Sequence, residues 1–427
     1  MNNFSELSLS PVLRANLDRN CFQTPTPVQA QAIPPALSGR DVVATAQTGT
    51  GKTLAFVLPL LESLLSQPAE PGVAAVILSP TRELALQIDE TFQKLAAGTQ
   101  IRSTAVVGGM NEQRQLLGIR KGAQVLIATP GRLCDFLQRR LVKLKSVRVL
   151  VLDEADRMLD MGFLPSIKQI LEPMPESKQT LFFSATIEPS VSKLIGQYLK
   201  DPARISIGST TKPAEMVDLH AYEVEQDRKL GLLAHLLERE QGSFLVFART
   251  KHGTDRLAKK LSRQGIRAAC IHGDRTQSQR NQALKSFQNG DCRVLVATDV
   301  AARGIHVDGI AHVVNYDLPQ APEDFIHRVG RTGRAGARGV ASTFATRNER
   351  SEIRRIERVL QLRLAQQQVD ASILTEKAME PLMTVPQAKA APKVQPFAKP
   401  AARPAGQSWS FQPRGFRQKG RGRRVAG

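Results

Sequence analysis

An α/β fold in two successive lobes, each a parallel sheet flanked by helices, is what this sequence predicts. Three observations lead there. Short apolar runs alternate with longer amphipathic stretches through about residue 365. Many of the short runs lack polar alternation, as strands buried on both faces of a parallel sheet do. The rhythm breaks near Gly208–Pro213, in the stretch GSTTKPAE, which is polar, holds Gly and Pro and has no apolar period. That break leaves halves of about 150–200 residues, an ordinary domain size.

The first half places its strand-like runs at Val42–Ala44, Ala74–Leu78, Thr104–Val107, Val125–Ala128, Val149–Leu152 and Thr180–Phe183. The second half places them at Phe244–Phe247, Ala268–Ile271, Val294–Ala297, His312–Asn315 and Ala341–Phe344. Helical patterns such as Arg82–Leu95 and Thr254–Gln264 lie between them, which gives the βαβ rhythm of α/β domains. No sequence repeat relates the two halves by eye.

After about Gln368 the character changes. Residues 381–427 hold ten Lys/Arg, seven prolines and no Asp or Glu, and carry FQPRGFRQKGRGRR near their end, with Trp409 nearby. Such a segment buries too little apolar area to offset its ordering entropy, so 369–427 is predicted to be a disordered basic tail.

The chain's formal charge is +20 (59 Lys+Arg against 39 Asp+Glu), which favours a polyanionic partner. A membrane is disfavoured. The longest apolar stretch, Leu54–Leu65, is interrupted by Pro59 and Glu62, and a helical span needs roughly 20 apolar residues. The N-terminus MNNFSELSLS has no basic region followed by an apolar run, so no signal peptide is expected. Cys21, Cys134, Cys270 and Cys292 make no C-x-x-C pair or zinc spacing, which fits reduced thiols in a cytoplasmic protein. Aromatics are only 5%, so base stacking is not the expected grip in the body of the protein.

The chemistry begins after Val42–Ala44, where the chain reads AQTGTGKT: Ala46, Gln47, Thr48, Gly49, Thr50, Gly51, Lys52, Thr53. A Gly-rich turn between strand and helix points backbone N–H groups at phosphate oxygens, and the helix N-terminus adds its dipole. Lys52 is placed to reach the β and γ phosphates and Thr53 to put its hydroxyl on Mg²⁺. Ala46 stands where the strict motif has Gly. The strand Val149–Leu152 ends in DEAD, Asp153 to Asp156, beside the crevice where ligands bind in such sheets. Asp153 is expected to hold hydrated Mg²⁺ and Glu154 to orient or deprotonate the attacking water. In the second half, HRVGRTGR (His327–Arg334) carries arginines at three-residue spacing. Arg331 and Arg334 are expected to face the γ-phosphate from across the cleft as arginine fingers, worth roughly 10³–10⁵ in rate.

Residues 1–365 resemble a DEAD-box RNA helicase core, motif by motif and in order. Besides AQTGTGKT and DEAD the chain carries PTREL (Pro80–Leu84), Gly108–Gly109, TPGR (Thr129–Arg132) and SAT (Ser184–Thr186). HGD (His272–Asp274), Gln279–Arg280, ATDVAARG (Ala297–Gly304) and HRVGRTGR follow. Within the family the chain looks most like the bacterial RhlE type.

The resemblance implies two RecA-like domains, at 31–208 and 218–368, joined by a linker at 209–217. It also implies an adenine-reading segment within 1–30, CFQTPTPVQ, in which Gln29 reads the amino edge of adenine and Phe22 and Thr24 line the site. Phe4 fits the family's upstream aromatic. The family usually has Gly where Cys21 stands, so the backbone there is expected to differ slightly. Arg82, Gly109, Thr129 and Arg132 are implied to touch RNA in the first domain, and His272, Gly273, Arg280 and Thr298 in the second. These small or basic types suit phosphates and 2′-hydroxyls more than base edges, so little sequence preference is expected. Ser184, Thr186 and His327 are implied to couple the DEAD carboxylates to domain closure. His306 stands where the family has an Asp for the ATP ribose, with Asp308 displaced by one pleat. Weaker, more pH-sensitive ATP coupling is expected from it.

The implied activity is ATP- and Mg²⁺-dependent local separation of short RNA duplexes, with closure and reopening of two domains. The tail adds non-specific capture, and five phosphate contacts to a single strand give a log–log salt slope of about −3.5. Ribosomal precursors and the RNA decay machinery are the partners the family suggests. Two other classes stay open: a DNA helicase or translocase on the same two domains, and an ATP-switched RNA clamp or annealing chaperone.

Overall fold

Each half of the chain forms a seven-stranded sheet, and every ladder in both sheets is parallel. The structure is a computed structural model and describes residues 1–46, 49–66, 72–207, 216–302, 307, 309–333 and 338–379. In the first lobe the strands are β1 (Val42–Thr45), β2 (Ala75–Leu78), β3 (Ser103–Val106), β4 (Val125–Ala128), β5 (Val149–Leu152), β6 (Gln179–Ser184) and β7 (Ala203–Ser206). In the second they are β8 (Val217–Glu223), β9 (Ser243–Phe247), β10 (Ala268–Ile271), β11 (Val294–Ala297), β12 (Ile310–Asn315), β13 (Gly339–Ala345) and β14 (Ala365–Gln367).

The spatial orders are β3-β4-β2-β5-β6-β1-β7 and β10-β11-β9-β12-β13-β8-β14. Adding seven to each strand number of the first order gives the second. The two lobes therefore share one topology although no repeat is visible in their residues. What repeats is the pattern of burial, which many residue choices satisfy.

β1, β2, β4 and β5 are buried at every position, which is why their sequences show no alternation. The edge strands β3 and β10 are only partly buried, and the edge strand β14 is three residues long. Short, half-polar edges leave little template for intermolecular pairing. Helices cover both faces of each sheet. In the first lobe Phe56 packs on Phe183 on one face, with ring centroids 5.3 Å apart, while Phe136, Met158 and Phe182 fill the other. In the second, Phe287 and Phe325 lie on one face and Phe244 and Phe344 on the other.

Both ends of the folded region differ from the expected division. Residues 1–30 are not a separate segment, because Phe4, Leu7, Leu13 and Leu17 are buried in the core of the first lobe. Asn16 Nδ2 also donates to the carbonyls of Leu95 (2.8 Å) and Ala97 (2.7 Å). Residues 369–379, expected to open the tail, pack on the second lobe. Ile373 and Met379 are buried against the helix Lys229–Arg239, and Glu376 pairs with Lys260. Three apolar side chains and one ion pair in this short stretch are enough to dock it, since Val369 joins the same cluster. Residues 381–427, on which the disorder expectation falls, lie outside the described residues. So do 209–215 of the expected linker, and Val217 already belongs to β8.

Candidate nucleotide and RNA site

Three adjacent strands deliver the nucleotide motifs. β5, β6 and β1 are neighbours, and their C-terminal ends lead into DEAD, SAT and the Gly-rich loop respectively. Parallel pairing thus gathers residues about 100 positions apart at one rim. The loop after β1 turns through Gly49 (φ 89°) and Gly51 (φ 91°), a left-handed backbone that disfavours any Cβ. Lys52 opens the helix Lys52–Ser66; it is buried, and its Nζ donates to Ala46 O at 3.0 Å. Thr53 lies in the same first turn. Gln47 and Thr48 lie outside the described residues.

Asp153, Glu154 and Asp156 are all buried. Asp153 Oδ1 accepts the Glu154 N–H at 3.0 Å. Burial pushes the Asp153 carboxyl up to about 7, with the Glu154 and Asp156 charges adding and Lys52 opposing. Lys52 does not offset this burial by itself, and the Asp153 carboxyl with the Thr53 hydroxyl is an all-oxygen donor set that fits a divalent cation. Glu154 sits at φ 50°, ψ 52°, and this left-handed turn ends β5 and starts the helix Ala155–Asp160. Its burial would raise its pKa, yet Arg157, Lys52 and Arg331 together hold it well below the usual carboxylate range. Arg157 Nη1 meets Glu154 Oε2 at 2.5 Å.

The SAT segment is tied to the last acid of DEAD. Asp156 Oδ2 accepts from Ala185 N (3.0 Å), Thr186 N (2.8 Å) and Thr186 Oγ1 (3.1 Å). Ser184 Oγ accepts from Asp156 N at 3.3 Å and donates to Thr186 O at 2.7 Å. The hydrogen bonds between the two motifs therefore converge on Asp156.

The second lobe reaches the same rim through the helix Pro322–Val329 and the turn after it. Arg331 is buried and acts on Glu154, as does Lys52 from the first lobe. His327 is held down at about 4 by burial and by Arg157 and Arg331, with Asp156 and Glu154 opposing. It is therefore a neutral imidazole wedged between lobes. Arg328, by contrast, is engaged within its own lobe. It grips Asp299 with Nε and Nη2 (2.6 and 2.7 Å) and donates from Nη1 to Asn315 Oδ1 and Asp317 O. This buried fork positions the helix that carries His327 and leads to Arg331. Arg334, His306 and Asp308 lie outside the described residues.

The second lobe has no comparable phosphate loop at the matching place. Lys229 starts the helix after β8 as Lys52 starts the helix after β1. It is fully buried, donates to Tyr316 O at 3.1 Å, and lies 3.9 Å from Asp317 and 3.7 Å from Glu349. Carboxylates of the lobe itself occupy the surroundings of this lysine.

Gln29 is buried beside the Gly-rich loop. Its Oε1 accepts from Thr26 N (2.9 Å) as part of a helix-capping box, and its Nε2 donates to Gly51 O (3.0 Å). The amide thus caps its own helix and touches the phosphate loop at once. Phe22 is half-buried against the core and Thr24 is exposed. Cys21 adopts φ 59°, the left-handed region that glycine favours.

The expected RNA contacts sit on the other flank of each sheet. β3, β4 and β2 are neighbours and lead into Gly108–Gly109, TPGR and PTREL, while β10 and β11 lead into HGD and Thr298. Arg82 lies over the glycine pair so closely that a Cβ on Gly109 (φ 73°) would meet Arg82 Nη1 at 2.1 Å. Thr129 starts the helix Pro130–Gln138, and Arg132 pairs with Glu112 at 3.3 Å over the Phe136 ring. In the second lobe His272 is buried with Nε2 3.2 Å from Asp255, and Gly273 lies against Lys251. Thr298 accepts backbone bonds from Ala301 and Ala302.

Two residues absent from the sequence expectations close this flank. Glu83 Oε1 accepts from Gln277 Nε2 at 2.7 Å, and its Oε2 lies 3.0 Å from Arg280 Nη2 as an ion pair. Arg280 therefore bridges the lobes. Its pKa is lowered by burial and by the nearby Arg82, with Glu83 opposing. Two guanidinium groups from opposite lobes thus stand close together, as a shared anionic ligand would require. No periodicity signals Glu83 or Gln277, since both are polar residues in the first turn of a helix, where acids and amides are common.

A parallel sheet carrying a Gly-rich loop and acids at neighbouring strand ends, approached by arginine from a second sheet of the same topology, is the arrangement of a two-lobed nucleotide-binding fold. The DEAD/DEAH box helicase family model matches residues 26–194, and the helicase conserved C-terminal domain model matches residues 228–336. The ATP-dependent RNA helicase CshA of Limosilactobacillus reuteri is 42% identical over 329 residues, which is 77% of this chain and 66% of that protein. CshA of Streptococcus pneumoniae TIGR4 is also 42% identical, over 62% of its length, so the chain spans under two thirds of these relatives. The solved structure of S. cerevisiae Dbp5 bound to RNA and ADP BeF3 superposes with a TM-score of 0.79 at 30% identity, covering 90% of this chain and all of that one. The chain belongs to the DEAD-box family of ATP-dependent RNA helicases.

Proposed function

We propose that this chain is an RNA-dependent ATPase that locally separates short RNA duplexes or remodels RNA–protein complexes. The observation that carries the reading is the convergence of Lys52 from one lobe and Arg331 from the other on Glu154. A triphosphate seated on the Gly-rich loop completes a pocket that exists only when the lobes meet. Mg²⁺, when bound by Thr53 and Asp153, would supply charge neutralisation at the β and γ phosphates. Lys52 leaves Ala46 O for phosphate, Glu154 orients the attacking water, and Arg331 with Arg334 meets charge developing on the transferred group. Gln29, held against Gly51, reads adenine, with Phe22 and Thr24 at the rim, and Ala46–Thr53 cradle the phosphates.

RNA lies along the opposite flank, on Arg82, Gly109, Thr129 and Arg132 of one lobe and His272, Gly273, Arg280 and Thr298 of the other. These contacts reach the backbone, so the grip ignores sequence. Closure bends the bound strand, and a bent strand leaves an A-form duplex. Asp156, Ser184, Thr186 and His327 transmit the state of the nucleotide to this closure. Residues 381–427 add electrostatic capture. Dbp5 was solved with RNA and ADP BeF3, and Mss116p with ssRNA and AMP-PNP at a TM-score of 0.80, which supports a closed state of this kind. No helix among the described residues is long and apolar enough to cross a membrane. A cytoplasmic role on ribosomal precursors or in RNA decay, and an RhlE-type placement within the family, extend the same reading.

The test is RNA-stimulated ATP hydrolysis and unwinding of a short RNA duplex. Both should be present in the wild type and absent in Glu154→Gln. A variant that hydrolyses normally would remove Glu154 from its role. Stable RNA retention with an ATP analogue but no strand separation with ATP would favour the clamp. Equal stimulation by DNA would favour the DNA translocase.

A further inference from the structure

The helix Arg350–Leu360 buries Ile353, Ile356 and Leu360 in the second lobe. At 100° per residue, Arg354, Arg355 and Arg358 fall within about a 100° arc on the opposite face, and all three are exposed. Two acids near the helix are engaged elsewhere, while Glu352 in its first turn is exposed. Glu223 pairs with Arg350 and Arg347 at the helix start, and Glu357 turns back to accept from Leu364 N at 2.9 Å. Arg354, Arg355, Arg358 and the nearby Arg363 have no ion pair among the described residues.

The position of this face matters as much as its charge. The helix leads within a few residues into β14, at the sheet edge opposite β10. Six strand spacings separate the two edges, roughly 29 Å. A single strand gripped by His272, Gly273 and Thr298 would have to extend across the whole sheet to meet it. The tail cannot neutralise the face either, since residues 381–427 hold ten basic residues and no acid. Both cationic elements need the same kind of counter-charge.

We infer that Arg354, Arg355 and Arg358 form a second RNA-binding surface, which takes the phosphate backbone of a duplex arm flanking the strand held in the cleft. The inference rests on the cleft being the RNA site. A duplex docked here raises the effective concentration of its single-stranded extension at the cleft. Arginine forks suit phosphate, and the apolar side of the helix is already occupied by the lobe's core, which leaves only its charged side for a ligand.

The experiment compares the full chain with its Arg354→Gln/Arg355→Gln/Arg358→Gln variant and the corresponding triple Lys variant. Binding is measured with an ATP analogue, at several salt concentrations, to a short single strand and to the same strand joined to a duplex. The Gln variant should match the wild type on the short strand. On the duplex-bearing RNA it should bind on the order of tenfold more weakly, with a log–log salt slope shallower by about 2.7, and the Lys variant should restore both. Unchanged affinity and slope on the duplex-bearing RNA would overturn the inference, as would equal weakening on both RNAs. A wild type that fails to retain even the short strand would sink the reading of the cleft itself.

Discussion

Glu83 of the first lobe and Arg280 of the second form an ion pair at 3.0 Å in which both side chains are nearly buried, at 3% and 12% exposure. The same carboxylate takes the Gln277 amide at 2.7 Å. One acid therefore holds two lobe-2 side chains on the flank assigned to RNA, far along the sheet from the nucleotide. Removing one partner of a buried pair strands the other, at a cost of about 3–5 kcal/mol. Glu83→Ala should shift the lobes toward the open state by roughly two orders of magnitude or more, read by inter-lobe fluorescence transfer with ATP analogue and RNA. Unchanged closure would show that the pair is incidental.

Gly109→Ala should act on RNA and spare the nucleotide. The added Cβ would meet Arg82 Nη1 at 2.1 Å, and a flexible side-chain end yields before the backbone does. Arg82 is then displaced. The RNA concentration for half-maximal ATPase should rise several-fold, while RNA-free hydrolysis stays at its wild-type level.

Asp156→Ala should uncouple hydrolysis from strand separation. Three donors from Ala185 and Thr186 lose their acceptor, each worth about 1–3 kcal/mol if left buried and unpaired. The ratio of duplexes unwound to ATP hydrolysed should fall at least tenfold. An unchanged ratio would place the coupling elsewhere.

His327 gives the closed state a pH dependence. Its pKa is held at about 4 among Arg157, Arg331 and the buried wall, against about 6.5 when solvated. The open form therefore binds more protons than the closed one between those values, and closure weakens as pH falls through that window. Closure should be on the order of tenfold less favourable at pH 5 than at pH 7. His327→Gln should flatten that profile, as measured by the dissociation rate of RNA in the presence of an ATP analogue.

Cys21→Gly tests a local strain. A side chain at φ 59° costs about 1–2 kcal/mol, and glycine's extra chain entropy offsets about half of that. The denaturation midpoint of the first lobe should rise slightly in Cys21→Gly, whereas Cys21→Val should lower it.

The amino-acid sequence alone determined the α/β class, the two lobes, the Gly-rich loop, the DEAD acids and the order of every motif. These are local: a strand's apolar run, a glycine pair or an acid at a strand end is written in contiguous residues. Cys21 shows the limit of such reading, since no local pattern of residues announces its left-handed φ of 59°. The end of the second lobe shows it too: the chain after 368 looked like tail by composition, yet Ile373 and Met379 find an apolar surface on the helix Lys229–Arg239. Only the tertiary structure decided that Glu83 faces Arg280, that SAT binds Asp156, that Arg328 braces Asp299, and that both lobes share one strand order. Each of these joins residues distant in the chain through a few polar atoms. Burial makes such pairings decisive, because a charge without its partner is costly there, while no local pattern of residues encodes which partner arrives.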